Sequence, residues 1–267
     1  MAAYAGKVLV VTGASQGIGK ALCLDLAAQR PRLVLAARDA VALEAVAAEC
    51  CVRGAETLVV PTDVGDEAAC RTLVGGAVER FGGVDVLVNN AGVGMVARFE
   101  DVTDLSLYEG LMRVNYLGSV YPTWYALPHL KKSRGQIVAV SSLAGLTGVP
   151  LRTAYAATKH AQVGFFDSLR IELRDAGVSV TVIAPYFVQS EIRKRSSGPD
   201  GRTVEASPVK EAEIMSAEEC ATLTVRAMER RQRMLVMSVK GKLGRWAKLL
   251  APGLVDRMAA EAVRKGK

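Results

Sequence analysis

The sequence is poor in the residues that hold metals or staple small folds. Its 267 residues include two histidines, His129 and His160, and five cysteines. No cysteines stand in a C-x-x-C pair, and Cys50 and Cys51 are adjacent, where neighbours rarely bridge each other. This argues against a zinc site and a disulfide framework, and for reduced thiols in a cytoplasmic protein. Long apolar runs are missing as well: nothing reaches the roughly 18 uncharged residues that a spanning helix needs. The N-terminal residues lack the basic, apolar and small-residue regions of a secretory signal, so none is expected. No repeat or low-complexity tract interrupts the chain.

What is present fits a folded α/β protein. Half of the residues are apolar and 23% are charged, which excludes disorder as the dominant state. The length suits one large domain or two small ones. The net charge of +7 is unevenly spread. Residues 226–267 hold twelve basic and three acidic groups, a net +9, while residues 1–225 carry −2.

Short apolar runs alternate with longer helical patterns. Residues 7–12, 32–37, 56–61, 84–89, 135–141 and 178–184 read as strands, with 233–238 a seventh. They are nearly all apolar, as expected of strands buried on both faces of a parallel sheet. Helical windows lie at 17–30, 40–53, 66–81, 104–132, 153–176 and 216–231. The alternation predicts a doubly wound, Rossmann-type α/β sheet with helices on both faces. One catalytic domain over 1–240 and a basic helical extension over 241–267 follow. Residues 196–208 are rich in Ser, Gly, Pro and charge, so they form a loop on the ligand side of such a fold.

Thr12-Gly13-Ala14-Ser15-Gln16-Gly17-Ile18-Gly19 joins the first strand to the first helix. Glycines let the backbone turn sharply against a pyrophosphate, and the helix N-terminus offers free N–H groups. The spacing is G-x-x-x-G-x-G rather than G-x-G-x-x-G. The second strand ends at Ala37-Arg38, where a carboxylate usually marks preference for NAD. Arg38 can instead pair with the 2′-phosphate of NADP. The other reading of Arg38 is an exposed residue beside Asp39.

Tyr155 and Lys159 are four apart on a predicted helix and share a face. A phenol titrates near 10, and a fixed cation lowers that value. Bringing it close to neutrality takes roughly 3–4 kcal/mol. Ser142 ends the fifth strand thirteen residues before Tyr155. Asn115 lies in Val114-Asn115-Tyr116-Leu117-Gly118, and Asn89-Asn90-Ala91-Gly92 ends the fourth strand. Each falls at the carboxyl end of a strand or on a helix beside it, where this fold binds ligand.

On these motifs the sequence resembles the single-domain short-chain dehydrogenases/reductases over roughly residues 5–240. The resemblance implies a catalytic tetrad of Asn115, Ser142, Tyr155 and Lys159. It implies a phosphate loop of Gly13, Ser15, Gly17, Ile18 and Gly19, with Asp63 and Val64 at the adenine. Asn89, Ala91 and Gly92 would support the central strand and line the cofactor, and Pro185, Val188 and Ser190 would complete the nicotinamide side. It further implies that Ser142 binds a carbonyl oxygen and Tyr155 donates the proton. Lys159 would lower the Tyr155 pKa and hold the ribose, and Asn115 would anchor a water linking Lys159 to solvent. His160 projects about 100° away from Lys159 and is not expected to take part.

The expected activity is reduction of a ketone or aldehyde with NADP(H), the same groups serving alcohol oxidation in reverse. A cofactor-binding interaction protein is the alternative from another class. Tyr186 stands where the family commonly has glycine. The run Pro185-Tyr186-Phe187-Val188 is similar to very-long-chain 3-oxoacyl-CoA reductases. Ser141-Ser142-Leu143-Ala144-Gly145 and Phe165-Phe166 are similar to 11-beta-hydroxysteroid dehydrogenase relatives. Both lean toward a lipophilic carbonyl. The family also implies a homodimer or homotetramer. In the tail, Leu243, Trp246, Leu249 and Leu250 recur at helical spacing among Lys242, Arg245 and Lys248, and Pro252-Gly253 interrupts the pattern. Packing on the body or on a partner subunit and peripheral contact with an anionic membrane both fit this pattern. One aromatic residue and no known binding fold argue against nucleic acid.

Overall fold

The computed structural model describes residues 2–188, 196–204 and 214–264. Seven parallel strands form one sheet: β1 (Val8–Thr12), β2 (Arg32–Ala37), β3 (Glu56–Pro61), β4 (Val86–Asn89), β5 (Gln136–Val140), β6 (Ser179–Ala184) and β7 (Met234–Val236). Their order is β3-β2-β1-β4-β5-β6-β7. The chain winds outward from β1 to β3, then returns to place β4 beside β1. That reversal opens a crevice beyond the carboxyl ends of β1 and β4.

Strand periodicity divides the core in two. Leu9, Val11, Leu33 and Leu35 face one side, with α1 (Gly17–Ala27), α2 (Ala40–Val52) and, further along the chain, α7 (Ala217–Glu229). Val8, Val10, Val34 and Ala36 face the other, with α3 (Glu67–Phe81), α5 (Gly118–Ser133) and α6 (Thr153–Glu172). Alternate side chains of a strand point to opposite faces, so an unbroken apolar strand serves both layers. Each fully buried leucine here, such as Leu9 or Leu33, contributes about 2 kcal/mol by leaving water.

The predicted strands and helices are present, most with ends within three residues of expectation. The 104–132 window is the exception. It divides into α4 (Ser106–Met112), a π-helical turn at Arg113–Leu117 and α5. The wider turn closes i→i+5 bonds and accommodates an extra residue. It carries Asn115, which is fully buried.

Aspartates cap α2 and α3. Asp39 accepts from Ala42 N at 3.0 Å to start α2, and Asp66 accepts from Ala68 N at 2.8 Å to start α3. Helix α1 has no side-chain cap, so its first N–H groups face the crevice. After β7 come α8 (Val239–Leu250), capped by Ser238, and α9 (Pro252–Arg264), which restarts at the proline. Among the described residues no helix is long and apolar enough to cross a membrane.

Candidate active site

The crevice wall begins at Thr12, the last residue of β1. Its hydroxyl donates to Val88 O and accepts from Asn90 N at 3.0 Å and Ala91 N at 3.1 Å, joining β1 to the end of β4. Asn90 Nδ2 donates to Thr12 O at 2.9 Å and Gly13 O at 3.2 Å. Gly13 and Gly17 take φ of +67° and +55°, the left-handed region that glycine enters without strain. At Gly19 the limit is space: a Cβ would lie 2.1 Å from Gly13 O. The loop is therefore pressed onto the start of α1, leaving a backbone-lined cradle at a positive helix end.

The cleft around that cradle is lined by Gly13, Ser15, Gly17, Ile18, Arg38, Asp63, Val64, Ala91 and Gly92, all expected to bind cofactor. Ala37, Thr62 and Asn90 line it too. Asp63 Oδ1 accepts from Gly65 N at 2.9 Å, which fixes the turn after β3. Glycine backbone, free helix N–H groups and a guanidinium suit the phosphates of a dinucleotide.

The four candidate catalytic residues converge past Gly92. A Cβ on Gly92 would sit 3.2 Å from Asn115 Oδ1 and 3.7 Å from Lys159 Nζ. Asn115 is held on three sides: Oδ1 accepts from Val93 N at 2.8 Å, and Nδ2 donates to Val93 O at 3.0 Å and Thr158 Oγ1 at 2.9 Å. Lys159 Nζ donates to Val140 O at 3.0 Å and Gln162 Oε1 at 2.9 Å. Ser142 begins the 3-10 turn Leu143–Gly145, its Oγ accepting from Ala144 N at 3.2 Å, and stands close enough to the Tyr155 phenol to influence it. Ser141 turns inward instead and donates to Lys159 O at 3.2 Å. His160 bonds Ala156 O on its own helix at 2.9 Å and takes no part in this cluster.

Burial pushes the Tyr155 phenol above its ordinary value, while Ser142 and the Arg152 guanidinium pull the other way. The Arg152 guanidinium and Lys159 Nζ each lie 5.8 Å from the Tyr155 ring centre. Lys159 was expected to bring this phenol down. In the fold its ammonium is committed to Val140 O and Gln162, and desolvation of the phenol dominates. Lys159 itself is lowered to about 7, because burial disfavours its charge. Just before α6, Leu151 holds φ at +64°, a left-handed conformation that costs a non-glycine residue roughly 1–2 kcal/mol.

One expectation changes. Asn89, counted with the cofactor residues, is 1% exposed and points away from the cleft, where its Nδ2 donates to Thr123 Oγ1 at 3.0 Å. The period of two in β4 turns Asn89 to the α5 side, and its neighbour Asn90 forms the wall. Side chains also link Lys159 to the Asn115 backbone: Gln162, bonded to Lys159 Nζ, donates through Nε2 to Ser119 Oγ at 2.7 Å, and Ser119 Oγ donates to Asn115 O at 3.0 Å.

No motif marks Gln162, although it lies three residues after Lys159 and hence on the same helix face. Thr12 and Asn90 stand inside the glycine-turn and fourth-strand motifs, and their roles come only with the fold. Pro185 O accepts from Leu143 N at 2.9 Å, tying β6 to the Ser142 turn, and Val188 pairs with Met215. Ser190 lies outside the described residues.

Beside Tyr155 is an apolar cluster. Met95, Leu111 and Ala154 are buried, with Val93, Ala97, Val102, Leu107, Tyr108 and Tyr155 packed on them. The 196–204 segment is hydrogen-bonded to its rim through Val96 N to Ser197 O at 2.9 Å and Thr103 N to Pro199 O at 3.1 Å.

Known proteins resemble this chain over most of its length. A family model described as short chain dehydrogenase matches residues 7–200. The chain is 36% identical over 251 residues to 11-beta-hydroxysteroid dehydrogenase-like 4A of Arabidopsis thaliana, covering 94% of this chain and 82% of the relative. It is 32% identical to a dehydrogenase/reductase SDR family protein 7-like of Dictyostelium discoideum, covering 98% and 84%. A short chain dehydrogenase/reductase from Burkholderia phymatum, solved in complex with NAD, superposes with a TM-score of 0.83 at 29% identity, covering 95% of this chain and 96% of that one. An alcohol dehydrogenase from Thermococcus sibiricus, solved with 5-hydroxy-NADP, gives 0.75 at 27% identity, covering 86% and 95%.

Proposed function

Because the chain belongs to the short chain dehydrogenase family, we propose that it is an NADP(H)-dependent reductase of lipophilic ketones or aldehydes. A nicotinamide cofactor is the family's hydride carrier, and the cleft of this chain accommodates one. The finer assignment to NADP(H) rests on the end of β2. Ala37 lines the cleft where a carboxylate would reject a 2′-phosphate, and Arg38 stands next to it. Asp39 also lines the cleft, and its carboxylate is engaged in capping α2. Among the described residues Arg38 makes no ion pair, which leaves its guanidinium for a phosphate.

The observation that carries the reaction is the position of Tyr155 between the cofactor cleft and the apolar cluster. A carbonyl substrate lying against the half-buried Val93, Leu107 and Tyr108 at the surface of that cluster would bring its oxygen to Ser142 and Tyr155. Ser142 holds that oxygen by a hydrogen bond as negative charge develops there. The raised pKa keeps Tyr155 protonated at neutral pH, the form that donates a proton to the oxygen. The apolar cluster beside Tyr155 and the hydroxysteroid dehydrogenase-like relatives both support a lipophilic carbonyl.

The test is oxidation of NADPH and NADH over a panel of steroid and long-chain ketones. Arg38→Ala should weaken NADPH at least tenfold, about 1.4 kcal/mol or more, and leave NADH nearly unchanged. Tyr155→Phe should abolish turnover while NADPH still binds. Equal use of both cofactors by wild type and Arg38→Ala would remove the NADP assignment, and near-normal kcat in Tyr155→Phe would remove the mechanism.

A further inference from the structure

Six large apolar side chains stand in water on the last two helices. Leu243, Trp246, Leu249 and Leu250 of α8 and Leu254 and Met258 of α9 are each between 57% and 87% exposed. At 100° per residue, those of α8 fill an arc of about 120° on one side of the helix. Leu254 and Met258 are one turn apart on α9, which packs against α8. Exposed apolar residues on soluble monomers are normally scattered singly, and a contiguous band marks a contact surface.

Charge selects the occupant. Lys242 and Lys248 rise from α8 and Arg257 from α9, and residues 226–267 together carry +9. A second copy meeting this face would bring like charge onto like charge. An anionic lipid surface complements both features. Apolar side chains enter the acyl boundary, while lysine stems lie along it and their ammonium groups reach the phosphates. We propose that the α8–α9 hairpin docks the protein on an anionic lipid surface. The hairpin begins against the catalytic turn: a Cβ on Gly241 would lie 3.0 Å from Leu143 Cδ1 and 3.1 Å from Val236 Cγ1. A docked hairpin therefore holds the turn that carries Ser142 beside the lipid.

The chain has two tryptophans, so Trp124→Phe leaves Trp246 as the only tryptophan emitter. The full-length protein in that background is mixed with vesicles of phosphatidylcholine alone or with about 30% phosphatidylserine. The expected result is co-sedimentation with the anionic vesicles and a blue shift of Trp246 emission. In 0.5 M salt the binding should fall at least tenfold through screening. Lys242→Ala with Lys248→Ala should weaken anionic binding about thirtyfold. Leu243→Ser with Leu250→Ser should abolish the blue shift and leave turnover of a water-soluble ketone unchanged. Equal binding to neutral and anionic vesicles, or no shift with either, overturns the proposal. So does a dimer in sedimentation equilibrium that dissociates in the Leu243→Ser, Leu250→Ser variant, which would assign the face to a second copy.

Discussion

Replacing Lys159 by methionine probes the strongest electrostatic tension in the site. Lys159 is 4% exposed, and burial lowers its pKa from 10.5 to about 7. In the unfolded chain the same lysine titrates near 10.4. Between these values the unfolded state binds more protons than the folded state, so stability rises with pH across that window. The charge costs the fold on the order of 4 kcal/mol at pH 7 and on the order of 1 kcal/mol at pH 9.5. Methionine removes this cost. It also strands Val140 O and Gln162 Oε1, which lose a donor at 3.0 Å and 2.9 Å. That loss is about 1–3 kcal/mol for each buried acceptor and does not depend on pH.

The informative quantity is therefore the pH dependence of the difference between the two proteins. Wild type should gain about 3 kcal/mol on Lys159→Met between pH 7 and pH 9.5. Urea unfolding followed by circular dichroism at three pH values across this range measures it, with the constant offset cancelling. Turnover should be lost in the variant throughout. A difference flat within about 0.5 kcal/mol would refute the reasoning, because Lys159 would then remain charged in the fold across the whole range.

Four further substitutions test the cradle and its support. Gly19→Ala should lower stability by about 1–3 kcal/mol and nucleotide affinity at least tenfold, since the new Cβ meets Gly13 O at 2.1 Å. Gly75→Ala on α3, with nothing within 4 Å, should instead gain about 0.5–1 kcal/mol, and equal effects in melting curves would discount the packing argument. Asn90→Ala removes donors to Thr12 O and Gly13 O, so nucleotide titration should show weaker binding with the fold retained. Gln162→Glu places a carboxylate beside Lys159 Nζ and should raise the lysine pKa, moving the alkaline gain in stability to higher pH. An unchanged pH–stability profile would mean that Gln162 does not face the charge.

Much of this protein is determined locally, and those parts were legible in the residues. Apolar strands alternating with helical periodicity call for a parallel sheet covered on both faces, and the doubly wound arrangement meets that demand. The glycine spacing of the first turn was readable for the same reason, because the demand for left-handed φ at Gly13 and Gly17 is a property of the chain. Tyr155 and Lys159 share a face because the helix pitch places residues four apart together.

Other features depend on which elements meet. The choice between Asn89 and Asn90 turned on which side of β4 faces the crevice, decided by the helix packed behind it. The helix window over 104–132 broke at Asn115 because that side chain bonds Val93 and Thr158 from other segments. Gln162 matters through Ser119 on α5, 43 positions away in the chain. The sign of the Tyr155 shift likewise needed burial by the assembled cleft, since i,i+4 spacing brings a cation near but says nothing of the solvent removed. Pattern could mark the tail as basic and amphipathic. The tertiary structure decided that its apolar face stays uncovered by the body of the protein, because α8 rests on Leu143 and Val236 through Gly241 and leaves Trp246 and Leu250 in solvent.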